Sequence, residues 1–564
     1  MPRFRGASAV LFLLLTSSCA PRERRRVGAR LAEPLERNGV RTLGRSFIRR
    51  REGIFEARFA GGPYDRGYER GRLDHANIAA GEKDLEFLLE KMIPSPLKRW
   101  ALRRLLGWTV RRSEKWIPKE HELEIAGLAD ADFPDPLPGS WPPYARHLAL
   151  HALHDFSQRF TATNPLSGAC SGFAAGPKAT LDGHVYLARN FDFEAVPRFD
   201  REKIVAAIVP DSGHSYLSVT FGGLTGAVSG VNDAGLSVSL QALTGGPTAG
   251  AGEPSSLLVA DVLQRDTTVG EAVERIRSAR VFVSDIYLLA DVSGSLAVVE
   301  KTPVATGVRT GGSWITATND AETPAIARSV RAVSPSSTSS YRQRRLDELL
   351  AGGAGRLNVA AAVEILRDRK GLGGAPLGPG NRNAIDGLIA CHSVVFDLTA
   401  RRAYVAASPH TLGSYAVFDL SLLETAEPDD PRFSALGAES IPADPFLTSG
   451  GYARYRRARV LNEAARSELR RGMPGPAERD ASLALSLSPD FLEAFVCRGE
   501  ARERLGKEGA LADLEAAARR SPGPPAFAAA IERARRDAAA GRSPGRPVAF
   551  PLSFEDLFAK AGRP

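Results

Sequence analysis

Apolar residues recur at helical spacing in four upstream stretches, 84–93, 97–112, 120–131 and 145–155. This pattern predicts a mostly helical region from Phe55 to about Thr163. The glycine-studded run Gly61-Gly-Pro-Tyr-Asp-Arg-Gly-Tyr-Glu-Arg-Gly71 opens the region, and the proline-rich run 134–143 interrupts it as a rigid loop. Beyond residue 170 the apolar period shortens and turn residues multiply. Strands are predicted at 185–191, 204–209, 216–221, 226–231, 236–242, 286–290, 295–301, 314–318, 393–398 and 402–407. Helices are predicted at 257–264, 268–278, 340–350 and 358–368. Two groups of strands separated by a helix pair imply stacked sheets with helices on both outer faces. After a Pro/Asp/Glu-containing linker a third texture follows, rich in Ala, Arg, Leu and Glu. There Ala477, Ala481, Ala484 and Pro489 recur as Ala510, Leu514, Ala517 and Pro522, an internal repeat.

At 564 residues the chain has room for several domains. The N-terminus reads as an export signal: Arg3 and Arg5 precede the apolar run Ala7–Leu15, which is too short to span a bilayer. The run closes on Leu15-Thr-Ser-Ser-Cys19, similar to a bacterial lipoprotein box, with Cys19 as the lipidated residue. An ordinary signal peptide is the alternative. The expected location is the bacterial cell envelope, with a lipid anchor in the membrane. The net charge of +9 is concentrated between Pro21 and Gly53, where eleven arginines meet four acidic residues. That segment reads as a solvated linker, with contact to anionic headgroups as the second reading. Only Phe47 lies among these cations, too little aromatic surface for nucleic-acid stacking, so no nucleic-acid partner is expected. The expected division is signal 1–19, basic linker 20–54, helical region 55–169, core 170–425, linker 426–455, helical repeats 456–540 and tail 541–564.

The stretch Leu166-Ser-Gly-Ala-Cys170-Ser-Gly-Phe carries the chemistry. If the bond between Ala169 and Cys170 is cut by the protein itself, Cys170 becomes a chain terminus bearing both a thiol and a free α-amine. An α-amine titrates near ~8 and a thiol near ~8.5, so the residue supplies a base matched to its own nucleophile. Small residues before the cysteine permit the strained geometry of an N-to-S acyl shift.

Cys170-Ser-Gly-Phe followed by Tyr186-Leu-Ala-Arg-Asn-Phe-Asp192-Phe resembles the N-terminal-nucleophile hydrolases. It is most similar to the acyl-coenzyme A:isopenicillin N acyltransferase-like branch, with bile-salt hydrolases, acid ceramidase and phospholipase B-like proteins as relatives. The resemblance spans roughly 61–409. It implies an α+β fold, a four-layer αββα sandwich flanked by the helical N-terminal region and the C-terminal repeat domain. It also implies Cys170 as nucleophile, Arg189 and Asp192 as the pair contacting its thiol and amine, and Asn232 and Asn319 as oxyanion-hole amides. A helix arginine completes the set; Arg342, Arg344 and Arg345 are the candidates, with Arg345 favoured. The implied reaction is hydrolysis or acyl transfer at a linear amide, with a small-molecule acyl amide as substrate. A phospholipase B-like ester hydrolase and a lipoprotein scaffold with an inactive sandwich are the alternatives. The repeat resembles the second helix of a tetratricopeptide unit and would suit a protein partner.

Other constellations carry less. His151, His154 and Asp155 invite a Cys-His-Asp reading with Cys170, but they fall on a predicted helix where structural roles are the commoner outcome. His392 beside Cys391 lacks metal-ligand spacing, so no metal is expected. The glycine-rich loop 371–380 lacks the Gly-Lys-Ser of a phosphate cradle, and no cofactor is expected. Cys391 and Cys497 fall in different predicted domains and read as small buried apolar residues.

Overall fold

The structure, a computed structural model, describes residues 32–155, 170–331, 338–427, 439–522 and 525–542 except 52 and 195, together with 434–435, 547–549, 557–558 and 561. The signal segment with Cys19, and Ala169 on the expected scissile bond, lie outside the described residues.

The strands, in chain order, are β1 (Leu35–Arg37), β2 (Val40–Leu43), β3 (Ser46–Arg51), β4 (Ile54–Gly61), β5 (Ser171–Ala175), β6 (Tyr186–Asp192), β7 (Ile204–Pro210), β8 (Tyr216–Thr220), β9 (Ser229–Asn232), β10 (Leu236–Ala242), β11 (Asp285–Asp291), β12 (Leu296–Lys301), β13 (Thr306–Thr310), β14 (Trp314–Ala317), β15 (Ala390–Asp397), β16 (Arg402–Ala406), β17 (Tyr415–Asp419) and β18 (Ser434–Ala435). They form an 11-stranded sheet, β1-β2-β3-β4-β7-β8-β9-β10-β11-β12-β13, and a 7-stranded sheet, β14-β5-β6-β15-β16-β17-β18. Neighbours run antiparallel except β4 and β7, which pair in parallel.

Strand alternation sorts side chains into layers. On β7, Val205 and Ala207 point between the sheets, where they meet Leu187, Leu288, Val394 and Phe396. Their neighbours Ile204, Ala206 and Ile208 point outward against Leu258, Val262, Leu263 and Ile276 of helices Ser255–Arg265 and Val269–Ser278. On the other sheet, Phe173, Tyr186, Ala188 and Val395 pack against Leu346, Leu350, Val363 and Leu366 of helices Ser339–Gly353 and Val359–Leu366. The result is the four-layer αββα sandwich. Both faces of each sheet are covered, which is why the strands read as apolar runs more than as strict alternation.

Two boundaries differ from expectation. The basic linker 20–54 includes strands β1 to β3 and the start of β4. In β3, Phe47 and Ile48 are buried, and the buried Arg49 pairs with the buried Glu56 of β4 at 2.8 Å, so part of the cationic stretch is neutralised inside the fold. The expected tail is partly anchored: Phe558 is fully buried, its ring 5.0 Å from Phe87.

The upstream helices behave as the glycine pattern allows. Helix Pro63–Leu73 crosses helix Lys119–Ala131 at Gly67 and Gly127. A Cβ on Gly67 would stand 1.9 Å from Glu124 O, and one on Gly127 would stand 2.1 Å from Tyr64 O. Downstream, helices Gly451–Arg470, Pro474–Leu487, Leu492–Arg504 and Ala510–Arg519 stack in sequence, and the repeated positions Ala477/Ala510, Ala481/Leu514 and Ala484/Ala517 are all buried. Tyr452, Tyr455 and Phe491 of this region pack on Leu388 and Leu412 of the sandwich. Among the described residues no helix is long and apolar enough to cross a membrane.

Candidate active site

Cys170 immediately precedes β5, at the end of a strand flanked by β14 and β6 in the 7-stranded sheet. The register sets its neighbours. Ser171 faces Asn190 on β6, so Cys170 comes level with Phe191, between Arg189 and Asp192. On the other side Gly172 faces Ala317, so Asn319, just past β14, comes level with Cys170. A Cβ on Gly172 would be crowded, 3.1 Å from Ala188 O and 3.2 Å from the Gln241 carboxamide.

Arg189 points between the sheets. Its Nη2 donates to Cys170 Sγ at 3.3 Å, and its Nη1 donates to Val228 O at 2.8 Å and to Ser229 Oγ at 3.0 Å. The Cys170 thiol lies 3.9 Å from the main-chain carbonyl of Asp192. Burial pushes the thiol above its ordinary value, and the Arg189 guanidinium pulls the other way. Burial also lifts the Asp192 carboxyl to about 7 despite Arg342, Arg382 and Arg189, with Asp386 adding to the rise. Asp192 Oδ2 is buried without a hydrogen-bond partner. Arg342, fully buried on helix Ser339–Gly353, donates from Nη1 to Cys170 O at 2.6 Å and Ser171 Oγ at 2.8 Å. Its Nη2 donates to Asn319 Oδ1 and to Ser339 Oγ, both at 3.2 Å. Asn319 Nδ2 donates to Ala242 O at 2.9 Å.

The structure thus gathers Cys170, Arg189, Asp192 and Asn319, and it corrects two expectations. Arg345 turns away to Asp368, at 2.8 and 3.1 Å, and to Glu348 at 3.2 Å. Arg344 is exposed over the ring of Tyr341. Arg342 is the arginine on the cysteine, and a signal for it exists: Arg342, Leu346 and Leu350 share one helix face, and both leucines are core. Asn232 is likewise not at the site. Its Nδ2 donates to Leu263 O at 2.9 Å and Asp266 O at 2.7 Å, and its Oδ1 accepts from Leu236 N at 2.9 Å. It caps the C-terminus of helix Ser255–Arg265 and pins its own turn, satisfying carbonyls that a helix end leaves open.

Two residues missed in the sequence support Arg189. Ser229 Oγ lies 2.8 Å from His392 Nε2, and the His392 ring stacks on Phe191 with centroids 5.1 Å apart. Burial, reinforced by Arg189 and Lys203, holds the His392 imidazole well below its ordinary value, so it is neutral. In the tautomer with its proton on Nδ1, Nε2 accepts the Ser229 hydroxyl proton and leaves the hydroxyl oxygen to accept from Arg189. The His151 and His154 imidazoles are also held down, to about 3, by burial. His151 is committed to His147 O at 2.7 Å and Thr225 Oγ1 at 2.8 Å, and His154 lies beside Phe191 and Phe193. Among the described residues Glu82, Asp132 and His147 bring metal-ligand atoms within 4.8 Å of one another. That cluster already holds a cation, since Arg146 donates to Glu82 and Asp132 at 3.0 Å each.

A four-layer αββα sandwich with a cysteine opening a strand of the smaller sheet is the architecture of an N-terminal-nucleophile hydrolase. Residues 179–408 match the family model of acyl-coenzyme A:6-aminopenicillanic acid acyl-transferase. Over this domain the chain is similar to the N-terminal-nucleophile hydrolase superfamily. The match covers less than half the chain and begins after Cys170. The chain is 27% identical over 248 residues to an uncharacterized protein of Archaeoglobus fulgidus, covering 42% of this chain and 40% of that protein. It is 23% identical over 246 residues to protein dcd1A of Dictyostelium discoideum, covering 39% and 52%. The chain therefore spans about half or less of these relatives' lengths. Among solved structures it is similar to the N-acylethanolamine-hydrolyzing acid amidase ortholog of Caenorhabditis elegans, at 17% identity and a TM-score of 0.31, covering 41% of this chain and 93% of that one. It is also similar to penicillin V acylase from Agrobacterium tumefaciens, at 17% identity and a TM-score of 0.30, covering 44% and 91%.

Proposed function

We propose that the chain cuts itself before Cys170 and then works as a cysteine N-terminal-nucleophile amidohydrolase or acyltransferase on a linear amide. In this reading it is exported and anchored through a lipid on Cys19. The observation that carries the proposal is the arginine pair closing on Cys170: Arg189 on the sulfur at 3.3 Å and Arg342 on the carbonyl oxygen at 2.6 Å.

In self-cleavage, Cys170 Sγ attacks the carbonyl of Ala169 and the peptide nitrogen leaves as an amine. Water then hydrolyses the thioester, freeing the Ala169 carboxylate. Before this step the buried thiol has no amine beside it and stays protonated. Afterwards the new α-amine titrates near ~8 and can take the thiol proton. The buried Asp192 carboxyl, with one oxygen unpartnered, then gains a counter-ion as the ammonium appears beside it. The thiolate, favoured by Arg189, attacks the substrate carbonyl, and the α-ammonium protonates the leaving amine. The second N–H of Asn319 Nδ2 is the available amide donor for the developing oxyanion. Water or an amine then accepts the acyl group from sulfur.

Mass spectrometry of the purified protein tests this reading. Two fragments are expected, the larger beginning at Cys170, and Cys170→Ala should yield one chain inert toward a panel of acyl amides. A wild-type protein that stays uncut and inert on the same panel overturns it.

A further inference from the structure

The helix Pro96–Ser113, with the sequence PLKRWALRRLLGWTVRRS, has two dissimilar faces. Leu106 and Val110 pack inward against Tyr144 and Leu148. The opposite face leaves Leu97 74% exposed, Leu105 58%, and Trp100 and Trp108 45% each. These residues recur at three- to five-residue steps on one side of the helix, with Arg104 and Arg112 interleaved among them. The helix carries six Lys/Arg and no acidic residue. Arg99 and Arg103 are tied to Glu90 and Glu86. Lys98 borders the exposed apolar side chains, and Arg104 and Arg112 stand among them, Arg104 5.4 Å over the Trp100 ring and Arg112 4.5 Å over Trp108.

We infer that this face is a membrane-surface docking site, seated on a bilayer containing anionic lipid. Charge decides among occupants. The centres of protein interfaces are depleted of charge, whereas Arg104 and Arg112 stand among the exposed apolar side chains of this face. Exposed Trp and Leu interleaved with Arg, with no acidic residue on the helix, suit the headgroup layer, where indole and cation meet phosphate together. The helix belongs to the fold and lies far along the chain from Cys19, so the site acts independently of any acyl chain there and of the reaction at Cys170.

The test uses the full chain carrying Cys19→Ser, so that no lipid on that residue contributes. Co-sedimentation compares vesicles of phosphatidylcholine plus phosphatidylglycerol with vesicles of phosphatidylcholine alone. Tight binding to the anionic vesicles is expected, weakened by salt and accompanied by a blue shift of tryptophan emission. Trp100→Ala with Trp108→Ala should weaken binding by roughly tenfold or more and remove most of the blue shift. Lys98→Glu with Arg104→Glu and Arg112→Glu should erase the preference for anionic vesicles while leaving the melting temperature unchanged. Equal binding by wild type and both variants, or no binding by wild type, overturns the proposal. So does a wild-type dimer in analytical ultracentrifugation that the tryptophan variant converts to monomer, because a second copy would then be the occupant.

Discussion

Arg342 and Arg345 lie one turn apart on the same helix, and the structure gives them opposite importance. Replacing Arg342 by Met removes the donor to four buried oxygens: Cys170 O, Ser171 Oγ, Asn319 Oδ1 and Ser339 Oγ. The two hydroxyls can rotate to other partners. The main-chain carbonyl and the carboxamide oxygen cannot, and at about 1–3 kcal/mol for each stranded acceptor the loss is about 4 kcal/mol. The same change frees Asn319 and the carbonyl of Cys170, so the proposed self-cleavage should stop. Arg345→Ala breaks a pair with Asp368 and Glu348, costing about 1 kcal/mol and leaving the site untouched. Urea titration gives the stabilities, and denaturing electrophoresis gives the extent of cleavage. Arg342→Lys keeps the charge without the fork and should fold more stably than Met while still cleaving slowly. If Arg342→Met cleaves at the wild-type rate, or Arg345→Ala abolishes cleavage, the assignment of Arg342 to the cysteine is wrong.

Other outcomes follow from the same geometry. Burial raises the carboxyls of Asp74, Asp192 and Glu500 to about 7 and that of Glu253 to about 8. A raised folded value means the fold holds a proton that the unfolded chain has released, so the stabilisation present at low pH is lost as pH climbs through these values. The depressed values of His151 and His154, about 3, act in the opposite sense, but only up to the ordinary imidazole range near ~6.5. The melting temperature should therefore fall between about pH 6.5 and 8.5, and Asp74→Asn should flatten the slope in differential scanning fluorimetry. Asn232→Ala strips two carbonyls and one amide of their partner and should cost about 2–3 kcal/mol in urea while self-cleavage proceeds. His392→Phe preserves the stack on Phe191 but leaves Ser229 without its acceptor; loosening Arg189 should cost about tenfold in kcat and move half-maximal alkylation of Cys170 to higher pH.

The parts of the site that were legible in the sequence are those set by strand register. Cys170, Arg189 and Asp192 sit on consecutive antiparallel strands joined by a short turn region, so sequence spacing translates almost directly into position. Asn319 ends the strand on the other side of Cys170. What failed depended on contacts between layers. Asn232 precedes Asp-Ala-Gly235, and whether such an amide faces a site or a helix end depends on where helix Ser255–Arg265 lands. The choice between Arg342 and Arg345 needed the core face of their helix, which Leu346 and Leu350 mark. Ser229 and His392 are brought together across 163 residues by the stacking of one sheet on the other, and local pattern carries no trace of that. The arginines of β3 hid a strand because their charge outweighed the signal of Phe47 and Ile48, and the buried partner of Arg49 lies on the next strand.

That misread strand bears on the proposed cut. A break between Ala169 and Cys170 divides the chain between β4 and β5, so the upstream piece carries β1 to β4 and the helices that follow. The upstream piece is built into the fold. Strand β4 pairs with β7 from Phe55 opposite Ile204 to Gly61 opposite Pro210, and Phe59 and Ala57 are fully buried. Helix Pro63–Leu73 adds Arg70, buried and donating to Phe221 O at 3.3 Å. Losing this piece would expose β7 along its length and open the outward face of the larger sheet. The two pieces should therefore co-purify under native conditions, and a nick at Cys170 should release a strand end at the site while the sheet that holds Arg189 to Val228 and Ser229 stays intact.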